Sequence, residues 1–441
     1  MLYSVYEFNR MAMTPWRAAA NATRQMMRSP MNPMSDTMAG RTMAAAAELF
    51  ESVTRRYAKP EWMIDQIEIN GAPVGVSEQT IWTKPWCSLL HFERDQDALI
   101  AARGETSDRK VLFVAPMSGH YATLLRGTVE AFLPDSVVYI TDWHDARSVP
   151  VTEGRFNLDD FTSYIREMIT LLGPDLHVVA VCQPGPPTLA AIAMMAEDDA
   201  PNRPASMTFM GSPIDTRLSP TVPNKLAEEK PFDWFANNLI HTVPAPNPGA
   251  FRRVYPGFLQ LAGFMNMNLD RHVDAHWNFY THLVDGDGDS AEKHRTFYDE
   301  YLAVMDLSEE FYLQTITDVF QEHKLARGQQ THGDRIVDPS AIKDIALLTV
   351  EGENDDISGI GQTQAAHTLC GNLPEALQQD WIQPSVGHYG VFNGARFRTE
   401  IAPRVTQFTR RFIDKQAEAE AQDALDARAG EHGRLDRDFV L

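Results

Sequence analysis

Continuous apolar runs alternate along this chain with longer stretches of helical character. Val111–Ala115, Val137–Ile140, Leu176–Val181, Ser206–Met210 and Ile345–Val350 are short runs rich in Val, Leu, Ile, Met and Phe. Strands with that pattern are buried on both faces, as in a parallel sheet covered by helices. Between them lie Thr123–Phe132, Leu158–Leu172 and Thr188–Ala196, which read as helices; Gly173-Pro174 stops the second. Upstream, Ile64–Asn70 alternates before a Gly71-Ala72-Pro73 turn, and Cys87–Glu93 is a short mixed run. These predict antiparallel opening strands. The strand–helix alternation predicts an α/β domain with a mostly parallel central sheet and helices on both faces.

The period breaks after Ile214. Residues 215–340 hold no convincing parallel strand but many aromatics, among them Trp234, Phe264, Trp277, Phe311 and Phe320. The alternation resumes at Ile345–Val350, with a helix near Gly361–Cys370 and a strand at Trp381–Gln383. The expected organisation is an N-terminal helical segment (1–60), a first part of the α/β core (61–214), and a helical cap insertion (215–340). A second part of the core with a C-terminal helix (341–428) and a loose charged tail (429–441) complete it. Aromatics at helical spacing ordinarily fill a core, and so many in one insertion also suit the lining of an apolar cleft. Residues 1–43 carry nine of the nineteen methionines together with Arg10, Arg17, Arg24 and Arg28. They lack the continuous apolar h-region of a secretory signal. A helical segment packed on the body, with adaptable Met side chains, is the favoured reading over attachment to an apolar surface.

Composition narrows the function. A formal charge of −21 over 441 residues offers phosphates no attractive field, which argues against a nucleic-acid binder. Three cysteines (Cys87, Cys182, Cys370) without CxxC spacing suit a reducing compartment, not a disulfide framework or zinc site, so a cytoplasmic location is expected. No stretch of apolar residues is long enough to predict a membrane span.

The chemistry gathers at the end of Leu176–Val181. That strand stops at Cys182, Gln183-Pro184-Gly185-Pro186-Pro187 follow, and the helix starts at once. Strand, sharp turn with a nucleophile-type residue, then helix is the plan of the nucleophile elbow in the α/β-hydrolase fold. The usual flanking glycines are replaced by Ala180 and Pro184. A buried structural cysteine is the plain alternative. The elbow reading gains from what comes later, because that fold supplies an acid and then a histidine. Glu351-Gly352-Glu353-Asn354-Asp355-Asp356 follows one strand, and Gly387-His388-Tyr389-Gly390 follows the last. Asp355 is the preferred acid, with Asp356 and Glu353 as fallbacks. In these roles Cys182 attacks an ester carbonyl, His388 moves the proton, and Asp355 fixes the imidazole tautomer. The oxyanion needs N–H donors, worth roughly 3 kcal/mol each. One is expected from the backbone of Gln183. The other is expected from the loop Pro116-Met117-Ser118-Gly119-His120, at Met117 or Ser118. His120, in the same loop, is either a substrate contact or an ordinary loop residue.

With these residues in view, the chain resembles the intracellular polyhydroxyalkanoate (poly-3-hydroxybutyrate) depolymerases, a family that looks related to the polyhydroxyalkanoate synthases. The resemblance rests on Val181-Cys182-Gln183-Pro184, Val114-Ala115-Pro116-Met117-Ser118-Gly119-His120-Tyr121 and Gly387-His388-Tyr389-Gly390-Val391-Phe392-Asn393-Gly394. It runs from Tyr3-x-x-Tyr6 to about residue 414. Synthases place glycines around their cysteine and a histidine after the aspartate; Ala180, Pro184 and Asp356 stand there instead, which points toward degradation. The resemblance implies Cys182, Asp355 and His388 as the triad and amorphous polyester in cytoplasmic storage granules as substrate and partner. It implies 3-hydroxybutyrate or short oligomers as products. No cofactor or metal is expected, with coenzyme A the one alternative acyl acceptor to water. A synthase-like acyltransferase and a non-catalytic granule-binding protein are the rival readings.

Overall fold

The computed structural model describes residues 2–104, 108–267 and 269–412. Its centre is a nine-stranded sheet. The first seven strands in the chain are β1 (Gln66–Ile69), β2 (Ala72–Lys84), β3 (Cys87–Arg94), β4 (Arg109–Val114), β5 (Ser136–Trp143), β6 (Leu176–Val181) and β7 (Ser206–Met210). In space they run β1, β2, β3, β5, β4, β6, β7, followed by Ala346–Gly352 and Gln378–Gln383. The pairs from β1 to β5 are antiparallel, and every pair from β5 onward is parallel. Every residue of β6, β7 and Ala346–Gly352 is buried, which requires cover on both faces. The helix Leu158–Leu172 supplies part of it, started by a capping box between Asn157 and Asp160. The helix Gly185–Glu197 is buried from Gly185 to Ala196. This is an α/β-hydrolase sheet, whose ligand crevice lies beyond the carboxyl ends of the parallel strands.

Strand β2 was not visible in the sequence pattern. Most of its residues are exposed or half-exposed, it carries a bulge between Thr80 and Trp82, and its polar run Ser77-Glu78-Gln79-Thr80 has no apolar alternation to reveal it.

The insertion between β7 and Ala346–Gly352 is not purely helical, contrary to expectation. Helices Val222–Glu229, Phe232–Asn238, Gly257–Met267, Leu269–Asp285, Gly288–Tyr301 and Glu309–Thr315 are joined by a small antiparallel sheet. That sheet pairs Leu307–Ser308, Arg253–Tyr255 and His241–Thr242. A hairpin of Thr331–His332 with Arg335–Ile336 follows. Strands of two or three residues carry too little periodicity to announce themselves. The expected C-terminal helix is seen over 402–412, and the tail expected over 429–441 lies outside the described residues.

The N-terminal helices Leu2–Ala12, Thr14–Arg28 and Met38–Thr54 lean on the insertion. Buried Glu48 receives Arg28 and Arg295 at 2.5 Å each, tying the third helix to Gly288–Tyr301. Tyr6 stacks on Phe258 with centroids 4.0 Å apart. Tyr3 is buried and donates its hydroxyl to Asp306 Oδ2 at 2.6 Å, while Asp306 Oδ1 accepts the Gly257 N–H at 2.8 Å. One carboxylate thus links the first helix to the start of Gly257–Met267, which lines the cavity described below.

Asp306 lies against a second buried carboxyl. The Asp306 N–H donates to Asp145 Oδ1 at 3.1 Å, and Asp145 Oδ2 accepts Tyr121 and Arg147. Burial pushes both carboxyls above the usual carboxylate range, and their repulsion adds to the shift at Asp145. A carboxyl raised above its unfolded pKa of about 4 gives stability that is full below that value and is lost as pH rises through the native one. Asp145→Asn is therefore expected to flatten the fall of melting temperature between about pH 4 and 8. Equal slopes for the two proteins would exclude this pair as the source.

Candidate active site

Strand β6 delivers Cys182 to a turn that holds it at φ 65°, in the left-handed region that L residues seldom occupy. The Cys182 N–H donates to Met210 O at 2.8 Å, and the Gly185 N–H donates to Cys182 O at 3.1 Å. The three prolines are accommodated because Pro184 precedes the helix and Pro186 and Pro187 lie in its first turn, where no intrahelical acceptor is available. The close approach that elbow glycines usually permit is provided one place later, at Gly185. A Cβ there would lie 2.4 Å from Ser212 Cβ, so nothing larger fits.

Asp355 follows the strand Ala346–Gly352. Its Oδ1 accepts the N–H groups of Ile357 and Ser358 at 2.9 and 2.8 Å, closing the turn, and its Oδ2 meets His388 Nδ1 at 2.8 Å. The Asp355 side chain has no solvent exposure and that of His388 has 4%. The neighbouring carboxylates go elsewhere: Glu353 Oε2 accepts the Ser385 N–H at 2.7 Å, and Asp356 is exposed. His388 opens the short turn His388–Val391, and its other side-chain partner is Cys182. Burial disfavours its imidazolium. The Asp355 carboxylate and the Cys182 sulfur outweigh burial and hold His388 well above the usual imidazole range. Cys87 and Cys370 are buried, and burial drives both thiols up, Cys370 to about 12. Cys182 alone of the three is partly exposed, on a cavity wall.

The cavity holds about 500 Å³. Cys182, Gln183, Met117, Ser118, His120, His388 and Tyr389 line it, and the insertion adds Phe264, Met267, Phe311, Tyr312, Ile316 and Phe320. His120 is buried and its Nε2 lies 3.0 Å from Tyr301 O; burial lowers its pKa to about 4, so it is neutral. It braces the loop against the insertion. Among the described residues no group of three His, Cys, Asp or Glu side chains is placed to hold a metal ion. No helix among them is long and apolar enough to cross a membrane.

For the oxyanion donors the structure separates residues that the sequence left together. The Gln183 backbone N–H has no protein acceptor among the described residues, and neither has that of Ser118. The Met117 N–H, expected as an alternative donor, is already engaged with Gln183 Oε1 at 3.2 Å. Where that side chain points is not encoded in the spacing.

Gly211, directly after β7, escaped the sequence reading. It has φ 56°, and a Cβ there would sit 3.2 Å from His388 Cε1 and 3.3 Å from Asp355 Oδ2. Its signal is a glycine closing the strand next to the one that carries Cys182. Gly211→Ala is expected to cost about 1–3 kcal/mol in a urea titration, from backbone strain. By crowding the Asp355–His388 contact it is also expected to lower kcat roughly 10- to 100-fold. Unchanged kcat would mean the pair tolerates displacement.

Residues 211–413, which include Asp355, His388 and the whole insertion, match the family described as PHB de-polymerase C-terminus. Over that stretch the chain is similar to the PHB de-polymerases. The match supports an ester-bond hydrolase. Comparison with curated proteins gave no match. Among solved structures, the chain is similar to 2-hydroxy-6-oxo-6-phenylhexa-2,4-dienoate hydrolase from Rhodococcus sp. strain RHA1, with 14% identity and a TM-score of 0.42 over 76% of this chain and 99% of that one. A meta-cleavage product hydrolase from Pseudomonas fluorescens IP01 shows 13% identity and a TM-score of 0.40 over 80% and 97%. A monoacylglycerol lipase from Paleococcus ferrophilus shows 11% and 0.38 over 69% and 94%.

Proposed function

We propose that this protein is a cysteine-dependent poly(3-hydroxybutyrate) depolymerase acting on storage granules in the cytoplasm. The observation that carries the reading is the chain of contacts from buried Asp355 through His388 to Cys182, ending at the wall of an apolar cavity. The Cys182 thiolate adds to the ester carbonyl, and the resulting oxyanion is met by backbone N–H groups. The carbon–oxygen bond to the leaving chain then breaks, and the leaving alkoxide takes the proton from His388. Water next attacks the thioester while His388 accepts its proton. The carbon–sulfur bond breaks, the thiolate returns and the acid departs. Asp355 keeps Nδ1 protonated, so that the other nitrogen serves each transfer.

Apolar walls suit the methyl-bearing repeat of the polyester. Phe8, Trp16 and Met31 on the N-terminal segment are exposed, and they offer apolar area to an insoluble surface. The test is incubation with amorphous granules in buffer free of coenzyme A. The expected result is co-sedimentation and release of 3-hydroxybutyrate or its short oligomers. Release only when coenzyme A is added would replace hydrolysis by thiolysis. Sedimentation without release under either condition would favour a granule-binding protein, and polymer growth from 3-hydroxybutyryl-coenzyme A would favour a synthase.

A further inference from the structure

The residue after Cys182 is a glutamine whose side chain does not face solvent. Gln183 is 9% exposed, its Oε1 accepts the Met117 N–H at 3.2 Å, and its Nε2 is buried with no hydrogen-bond partner. Met117 has no exposure at all. The carboxamide therefore lies within the wall between two segments of backbone. One is the elbow, where Gln183 offers an N–H to the developing oxyanion. The other is the loop after β4, where Ser118 lines the cavity with an N–H that has no protein acceptor.

We propose that the Gln183 side chain is a positioning strut that sets the distance between the two oxyanion donors. Its carboxamide consumes the Met117 N–H, which leaves Ser118 N–H as the donor from the loop. This rests on the ester-hydrolase reading above. The opposite role, a plug that occupies the oxyanion site until substrate displaces it, requires the carboxamide to stand in the cavity. In the structure the carboxamide is instead engaged with the Met117 backbone, and its Nε2 is buried. The unpartnered Nε2 argues for a functional reason for this residue, since an apolar side chain of the same length would fill the space without burying an idle donor.

The experiment compares wild type with Gln183→Met, which keeps the length and loses the acceptor. Steady-state hydrolysis of p-nitrophenyl butyrate and the melting temperature are measured on the full chain. An ångström of donor displacement is enough to lower kcat by about 10- to 100-fold, with KM changed less than about threefold. The melting temperature is expected to stay equal or rise. Unchanged kcat would overturn the strut. A raised kcat would establish the plug in its place, and a fall in kcat only in step with a fall in melting temperature would reduce Gln183 to packing. A wild-type protein without activity on this ester that Cys182→Ala abolishes would overturn the hydrolase reading and the strut with it.

Discussion

Cys182→Ala is expected to lower ester turnover by roughly 10⁴- to 10⁶-fold while leaving the fold intact. The loss is large because Cys182 supplies the attacking electron pair, and His388 has nothing to activate without it. Stability is expected to change little. The side chain is only half-buried, and alanine is the smaller occupant of a backbone position at φ 65° that is strained for either residue. Initial rates on p-nitrophenyl butyrate and a thermal melt check both parts. The expected contrast with Cys87→Ala, which touches a buried thiol remote from the cavity, is a loss of stability with activity retained per folded molecule.

Asp355→Asn should be the next most damaging change, at about 10³- to 10⁴-fold in kcat. The amide keeps the shape but loses the charge, and it presents no reason for His388 to keep its proton on Nδ1. The same change acts on pH dependence. His388 is held above the ordinary imidazole value of about 6.5, so its contribution to stability is full below that pH and is lost as pH rises through the raised value. Removing the carboxylate lowers the native value toward the unfolded one. The variant is then expected to lose more stability at mildly acidic pH than at alkaline pH. Alkylation of Cys182 by iodoacetamide near neutral pH is expected to slow as well, because His388 beside the sulfur is less often charged without the carboxylate. Identical alkylation profiles for both proteins would contradict the coupling.

The buried parallel strands were legible because burial on two faces writes a run of Val, Leu and Phe into the chain, as in Val111–Ala115 and Leu176–Val181. The order of Cys182, Asp355 and His388 was legible for a related reason: each follows a strand, and parallel strands end on the same side of the sheet. What escaped was set by contacts between segments far apart in sequence. Strand β2 is held by its neighbours and not by its own pattern. The small sheet of the insertion joins residues 241–242, 253–255 and 307–308. Gly185 is required by Ser212, and Gly211 sits against His388 and Asp355. The engagement of the Met117 N–H depends on one glutamine side chain. Pattern reading found Cys182, Asp355 and His388, and packing decided which backbone groups lie beside them.

The central claim is that ester cleavage passes through a thioester on Cys182. Mixing the protein with a p-nitrophenyl ester of 3-hydroxybutyrate, quenching in acid within the first turnover, and mapping the adduct by peptide mass spectrometry tests it directly. The account predicts a single 3-hydroxybutyryl increment on the peptide carrying Cys182, accumulating with the nitrophenol burst and absent from Cys182→Ala. Turnover without that adduct that persists in Cys182→Ala, or acylation of a different residue, would contradict it.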